Sequence, residues 1–123
     1  MQNDKSNFKD EFRRRLYHFV LKLIEFLDRL PKDNVSLRIG DQLLRSGTSV
    51  MGNYTEGQAA SSRKDFTNYF NNSLKSSNES KLWFALLRDS GRAKAEDVAW
   101  FLCELDEIAK IFASSILTLK GKR

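Results

Sequence analysis

The chain has 123 residues, 41% hydrophobic and 30% charged, and its 21 Lys and Arg against 16 Asp and Glu give a formal charge of +5. This length and composition fit one globular domain that buries a core of its own, and they argue against disorder. A single Cys103 and a single His18 exclude an internal disulfide and a metal site built from clustered His or Cys ligands.

Apolar residues recur every three or four positions along most of the chain, which predicts helices throughout. Helix one ends before Pro31, Asp33 or Asn34 can cap helix two, Ser62 can cap helix three, and Gly91 suits a left-handed helix end. The predicted helices are residues 8–30, 34–60, 63–89 and 95–120. Because the connections are short, the single domain 1–123 is predicted to be an all-α, antiparallel up-down-up-down four-helix bundle.

The first helix has an apolar stripe that should face the core. Its stripe consists of Phe8, Phe12, Leu16, Phe19, Leu23, Leu27 and Leu30, widened by Val20, Ile24 and Phe26. Tyr17, Trp83 and Trp100 lie off the centres of their helix stripes, and we expect them to be anchors of a subunit interface, where aromatic residues are enriched.

Helix two differs from its neighbours because glycine and small polar residues interrupt it between Gly40 and Gly57. Each interior glycine costs about 1 kcal/mol relative to alanine, so packing must offset the loss. Helix three carries serines at helical spacing, and small residues let helices approach closely. We therefore expect helices two and three to pack tightly together.

A polar stripe beside this contact predicts a network of hydrogen bonds. Its candidate members are Gln42, Arg45, Ser49, Asn53, Glu56, Ser76 and Glu79. One interpretation is a structural network that fixes helix register or a subunit contact. A second is a catalytic pair of carboxylates, Glu56 with Glu79, and a third is binding of an unspecified ligand. We favour the structural interpretation and expect no enzyme and no cofactor.

The segment 42–57, QLLRSGTSVMGNYTEG, with Asp65-Phe66 and Ser76-x-x-Glu79, resembles the four-helix bundle proteins encoded in 23S rRNA intervening sequences. Lys75 departs from that pattern, in which a glycine usually precedes the serine. The resemblance implies a ring-like homopentamer. It also implies kinship with the accessory variability determinant of diversity-generating retroelements, which binds nucleic acid and a reverse transcriptase.

The net charge is uneven along the chain: residues 1–31 carry +2 and residues 63–92 carry +3, while residues 32–62 and 93–123 are neutral. The candidate nucleic-acid-binding residues are Arg13, Arg14, Arg15, Lys22, Arg63, Lys64, Lys81 and Arg88. Since no base-reading motif is present, binding should follow shape and phosphates rather than sequence.

The functional hypothesis is a non-enzymatic, nucleic-acid-associated oligomer. The alternative is a scaffold that docks a polypeptide such as a reverse transcriptase. The longest run without a charge, 46–55, is about half of a bilayer-spanning helix, and the amino terminus lacks a signal-like apolar core. We expect a cytoplasmic protein without a membrane segment.

Overall fold

The computed structural model of the chain describes residues 4–121, with side chains from Asn7 onward. Its helices are α1 Asp4–Asp28, α2 Asn34–Gln58, α3 Arg63–Asp89 and α4 Ala95–Leu119, and these residues include no strand. Because only four or five residues join successive helices, neighbours run antiparallel, and the predicted all-α four-helix bundle is confirmed. No helix in the described part is long and apolar enough to cross a membrane.

Three helices end earlier than the apolar pattern predicts. The structure has α1 at 4–28 instead of 8–30, α2 at 34–58 instead of 34–60, and α4 at 95–119 instead of 95–120. The last turns of α1 and α2 tighten: Arg29 N donates to Phe26 O at 3.1 Å and Ala59 N to Glu56 O at 3.1 Å. These bonds span three residues, so the chain leaves α-helical geometry before its apolar residues run out.

Short polar side chains and one glycine set the helix limits. The Asp33 carboxylate accepts hydrogen bonds from Ser36 N at 3.2 Å and Ser36 Oγ at 2.6 Å, which lower the pKa of Asp33 to about 2. Ser62 Oγ caps α3 by accepting from Asp65 N at 3.1 Å. Gly91 follows α3 with φ of +76°, where a side chain would be strained. The predicted caps are confirmed.

The contact between α2 and α3 is the most extensive in the bundle, as the small residues predict. Ser46 Oγ and Ser80 Oγ lie 2.8 Å apart, and Ser73 Oγ donates to Val50 O at 3.0 Å. A Cβ at Gly57 would stand 3.1 Å from Tyr69 Cβ, so glycine avoids a tight contact between α2 and α3 there.

Aromatic rings fill the core in two groups, one toward each end of the bundle. Phe26, Phe84 and Phe101 form one group, with the Phe84 and Phe101 rings stacked at 4.6 Å. The other consists of Phe12, Tyr54, Phe70 and Phe112. Each group draws on at least three helices, so the rings join the helices into one core.

Two glycines of α2 should respond oppositely to alanine. At Gly52 an added Cβ meets no described atom within 4 Å, so Gly52→Ala should raise the free energy of unfolding by about 1 kcal/mol through helix propensity. At Gly47 the Cβ would overlap Cδ2 of Leu23, a fully buried residue. Gly47→Ala should therefore lower the free energy of unfolding by about 1–3 kcal/mol. Urea denaturation measures both, and equal stabilisation would contradict the close α1–α2 contact.

Candidate nucleic-acid interface

The three consecutive arginines of α1 do not form one basic patch, because successive helical side chains point about 100° apart. Arg13 pairs with Asp10 at 3.0 Å on the surface, and Arg14 is exposed without a described ion-pair partner. Arg15 turns toward α4, where Nε lies 2.7 Å from Glu104 Oε2 and Nη2 lies 2.8 Å from Glu104 Oε1.

Arg15 therefore joins α1 to α4 and does not belong to a phosphate-binding surface. Its Nη2 also lies 3.0 Å from Glu107 Oε1, and the Glu104 side chain is only 12% exposed. The hydrogen bonds to Glu104 raise the pKa of the Arg15 guanidinium, so the guanidinium stays protonated. We remove Arg15 from the candidate interface.

The remaining candidates divide into paired and unpaired side chains. Lys81 Nζ lies 2.9 Å from Asp106, and Arg88 lies 2.8 Å from the adjacent Asp89. Arg63 and Lys64 are exposed in the first turn of α3 and make no ion pair with a described residue. The paired lysine and arginine add little positive field, whereas the unpaired residues remain available to an anion.

Lys22 has a different partner. Its Nζ stands 5.4 Å from the centre of the Trp100 ring, a cation–π contact between α1 and α4. His18 packs edge-on against the same indole at 6.1 Å. Trp100 is exposed, as expected of an interface residue, but its neighbours within the chain already cover part of it.

The net positive charge of the described residues lies in one half of the bundle, where acidic residues are fewer. When each helix is cut at its midpoint, the half that contains the starts of α1 and α3 consists of 7–16, 47–58, 63–76 and 107–121; we call it the basic half. It has nine Lys and Arg against five Asp and Glu, a net of +4, whereas residues 17–46 and 77–106 have nine against ten, a net of −1. The basic residues of that half are Lys9, Arg13, Arg14, Arg15, Arg63, Lys64, Lys75, Lys110 and Lys120.

The predicted polar network is smaller than the sequence suggests. Arg45 forms an ion pair with Glu79 and also donates from Nε to Gln42 Oε1 at 3.2 Å. Trp83 Nε1 donates to Glu79 Oε2 at 3.0 Å, a partner that the sequence pattern missed although Trp83 stands four residues after Glu79. This cluster joins α2 to α3 at the surface, so it is not a buried network.

The other predicted members stand apart from the cluster. Asn53 Nδ2 donates to Ser49 O at 3.0 Å within α2, and Ser76 O accepts from Ser80 Oγ at 2.9 Å within α3. Glu56 is exposed and makes no side-chain hydrogen bond to a described residue.

The structure does not bring Glu56 and Glu79 together. Glu79 contacts Arg45, eleven residues before Glu56 on α2, which corresponds to about 16 Å along the helix. The carboxylate pairs of glycosidases are about 5–9.5 Å apart. Among the described residues no group of three or more His, Cys, Asp or Glu could hold a metal ion.

An apolar surface lies on the outer side of α1 and α2, and the sequence pattern misplaced part of it. Ile24 was expected to widen the core stripe of α1, but its side chain is exposed. Tyr17, Leu21 and Ile24 share one side of α1, and Leu37 and Leu44 share the adjoining side of α2; we call these five residues the apolar face. Phe8, expected in the same core stripe, is also exposed.

These features define a small all-α protein: a four-helix bundle with one basic half, an apolar face and a surface polar cluster. The family model described as 23S rRNA-intervening sequence protein matches residues 9–114, so the chain belongs to that family. This confirms the family that the segment 42–57 indicated.

A solved structure supports the assignment. It is described as a protein of unknown function from the S23 ribosomal protein family of Bacteroides thetaiotaomicron, and it superposes with a TM-score of 0.79 at 30% identity. The similarity covers 85% of this chain and 96% of that one. Comparison with curated proteins gives no significant match.

The Arg15–Glu104 pair should contribute to stability more than its exposed neighbour. In a double-mutant cycle with alanine at both positions, we expect a coupling energy of about 1–2 kcal/mol, because the pair is bidentate and half-buried. The same cycle at Arg13 and Asp10 should give less than about 0.5 kcal/mol. Urea unfolding measures both cycles, and equal couplings would contradict the structural role of Arg15.

Proposed function

We propose that this protein is a non-enzymatic, self-associating four-helix bundle that binds the phosphate backbone of RNA or DNA with its basic half. The observation that supports the proposal is the charge asymmetry along the bundle, +4 in one half against −1 in the other. Neutralised phosphates release counterions, so a concentrated positive surface favours nucleic acid over a small anion.

The residues that meet phosphates are the unpaired cations of the basic half. Arg14, Arg63 and Lys64 are exposed and free of acidic partners in the described part of the chain. Arg13 remains a secondary contact, since its ion pair with Asp10 is at the surface and exchanges at low cost. The proposal leaves out Arg15, whose pair with Glu104 is half-buried, and Lys22, Lys81 and Arg88, which lie in the other half of the bundle.

Self-association extends the same surface. The apolar face exposes five large apolar side chains, and a second copy of the chain would remove them from water. The homopentamer that the family resemblance implies would carry five times +5 and so strengthen backbone binding. A second candidate function, favoured by the same apolar face, is docking of a polypeptide such as a reverse transcriptase.

No catalytic step belongs to the proposal. Glu56 and Glu79 lie too far apart to share a substrate, and His18 contacts an indole rather than a carboxylate that would orient it. The expected cytoplasmic location is part of the proposal, and the exposed free thiol of Cys103 suits a reducing compartment.

Removing charge from the basic half should weaken nucleic-acid binding. With an RNA hairpin in a filter-binding assay, the wild-type affinity should fall steeply as salt rises. The variant with Arg14→Gln, Arg63→Gln and Lys64→Gln should bind at least about tenfold more weakly at low salt and show a shallower salt dependence.

The matched control removes three exposed cations from the other half, as Arg29→Gln, Arg38→Gln and Lys94→Gln. It has the same net charge and should bind nearly as well as wild type. Equal losses in both variants would show that net charge alone matters, and absent or salt-independent binding by wild type would overturn the proposal.

A charge on the apolar face should dissociate the oligomer. Leu21→Asp places a carboxylate within the apolar face, and light scattering should show a fall from the wild-type mass to that of a monomer. Leu82→Asp, at a similarly exposed leucine of α3, should stay assembled. A monomeric wild type, or an assembled Leu21→Asp, would contradict this interface.

A further inference from the structure

An open cavity of about 310 Å³ lies at the tip of the basic half, where α1 and α3 begin and α2 and α4 end. We call it the end cavity. Its volume is at the lower limit of ligand pockets, enough for one small ring system. Neither backbone binding nor self-association requires it.

Aromatic side chains make up much of its wall. Phe8 comes from α1 and Phe66 from α3, which are diagonal in the bundle, so a flat molecule in the cavity meets a ring from each. Both rings rest on buried ones: Phe66 lies 4.3 Å from Phe70, and Phe8 stacks on Phe12 at 6.1 Å. Phe8 is nevertheless 53% exposed, which is costly unless something covers it.

Polar side chains also line the end cavity. Lys9 is the one charged residue among the described residues that line the cavity, and it gives the cavity wall a positive charge. Gln58 supplies an amide, and Tyr54, only 4% exposed, makes no hydrogen bond to a described residue. Burial raises the pKa of Tyr54, so its hydroxyl keeps its proton and can donate.

We propose that the end cavity binds one unpaired nucleobase of an RNA or DNA strand, stacked against Phe8 and Phe66, with a neighbouring phosphate at Lys9. The inference rests on the proposed function and deepens it by naming the form of nucleic acid, a strand with an unpaired base. Aromatic faces accept any base, which agrees with binding that does not read sequence.

The surroundings favour this occupant over an uncharged apolar molecule. Arg63 and Lys64 begin α3 at the same end and can hold the phosphates on either side of the bound nucleotide. An apolar ligand would give Lys9, Gln58 and Tyr54 no hydrogen-bond partner in place of the water that it displaces.

The test uses a single-stranded oligouridylate with one 2-aminopurine, and the same strand with an abasic site at that position. Wild-type protein should quench the 2-aminopurine fluorescence and bind the abasic strand about tenfold more weakly, the usual effect of one base–aromatic stack. Phe8→Ala should lose the quenching and bind the two strands alike. Lys9→Gln should weaken the binding of both strands.

Matched controls lie outside the cavity. Leu117→Ala removes a comparably exposed apolar side chain of α4, and Lys94→Gln removes one exposed cation at the opposite end of the bundle. Both should behave as wild type. Circular dichroism should show that Phe8→Ala remains folded, because half of that side chain is already in water.

Different outcomes contradict the base-binding role of the end cavity and the proposed backbone binding. Equal binding of the two strands by wild type, or quenching that survives Phe8→Ala, overturns the cavity assignment and leaves backbone binding intact. A change in oligomeric mass in Phe8→Ala means that a second copy fills the cavity, which also overturns it. Failure of wild type to bind either strand or the RNA hairpin at low salt overturns both proposals.

Discussion

The close contact between α2 and α3 is the constraint on which the rest of the structure depends. Its serine hydroxyls form hydrogen bonds within the contact: Ser46 Oγ with Ser80 Oγ, and Ser73 Oγ with Val50 O. A side chain at Gly57 would crowd α3, because Tyr69 Cβ lies only 3.1 Å from the position of its Cβ. The pair forms a compact wall, and the large aromatic residues of α1 and α4 complete the core against it.

The same packing decides how the charges are distributed. Where helices meet, cations form ion pairs with acidic residues of the neighbouring helix. Arg15 pairs with Glu104 of α4, Arg45 with Glu79 of α3, and Lys81 with Asp106 of α4. Near the starts of α1 and α3, basic side chains outnumber acidic ones, so a positive surface remains. A modest net charge of +5 becomes uneven along the bundle because both halves have nine Lys and Arg, whereas the basic half has five Asp and Glu and the other half has ten.

The fold could be predicted from the sequence because it depends on local signals. Pro31, Ser62 and Gly91 act through the backbone of their own segment, and the three- and four-residue apolar spacing assigns a face to each helix. The α2–α3 contact could be predicted as well, since small residues at helical spacing in two successive helices favour a close approach of their backbones. The candidate site was predicted less well. Arg15 and Glu104 are 89 residues apart in the chain, and no periodicity reveals that they pair.

By itself, the sequence determined four antiparallel helices, the family and the basic character of the chain. Only the tertiary structure decided which of the predicted cations stay free, that Glu56 and Glu79 stand apart, and that Ile24 and Phe8 face outward. The physical reason is that helix periodicity fixes the direction of a side chain relative to its own axis. What that side chain meets depends on the rotation and height of the neighbouring helices, which packing alone sets.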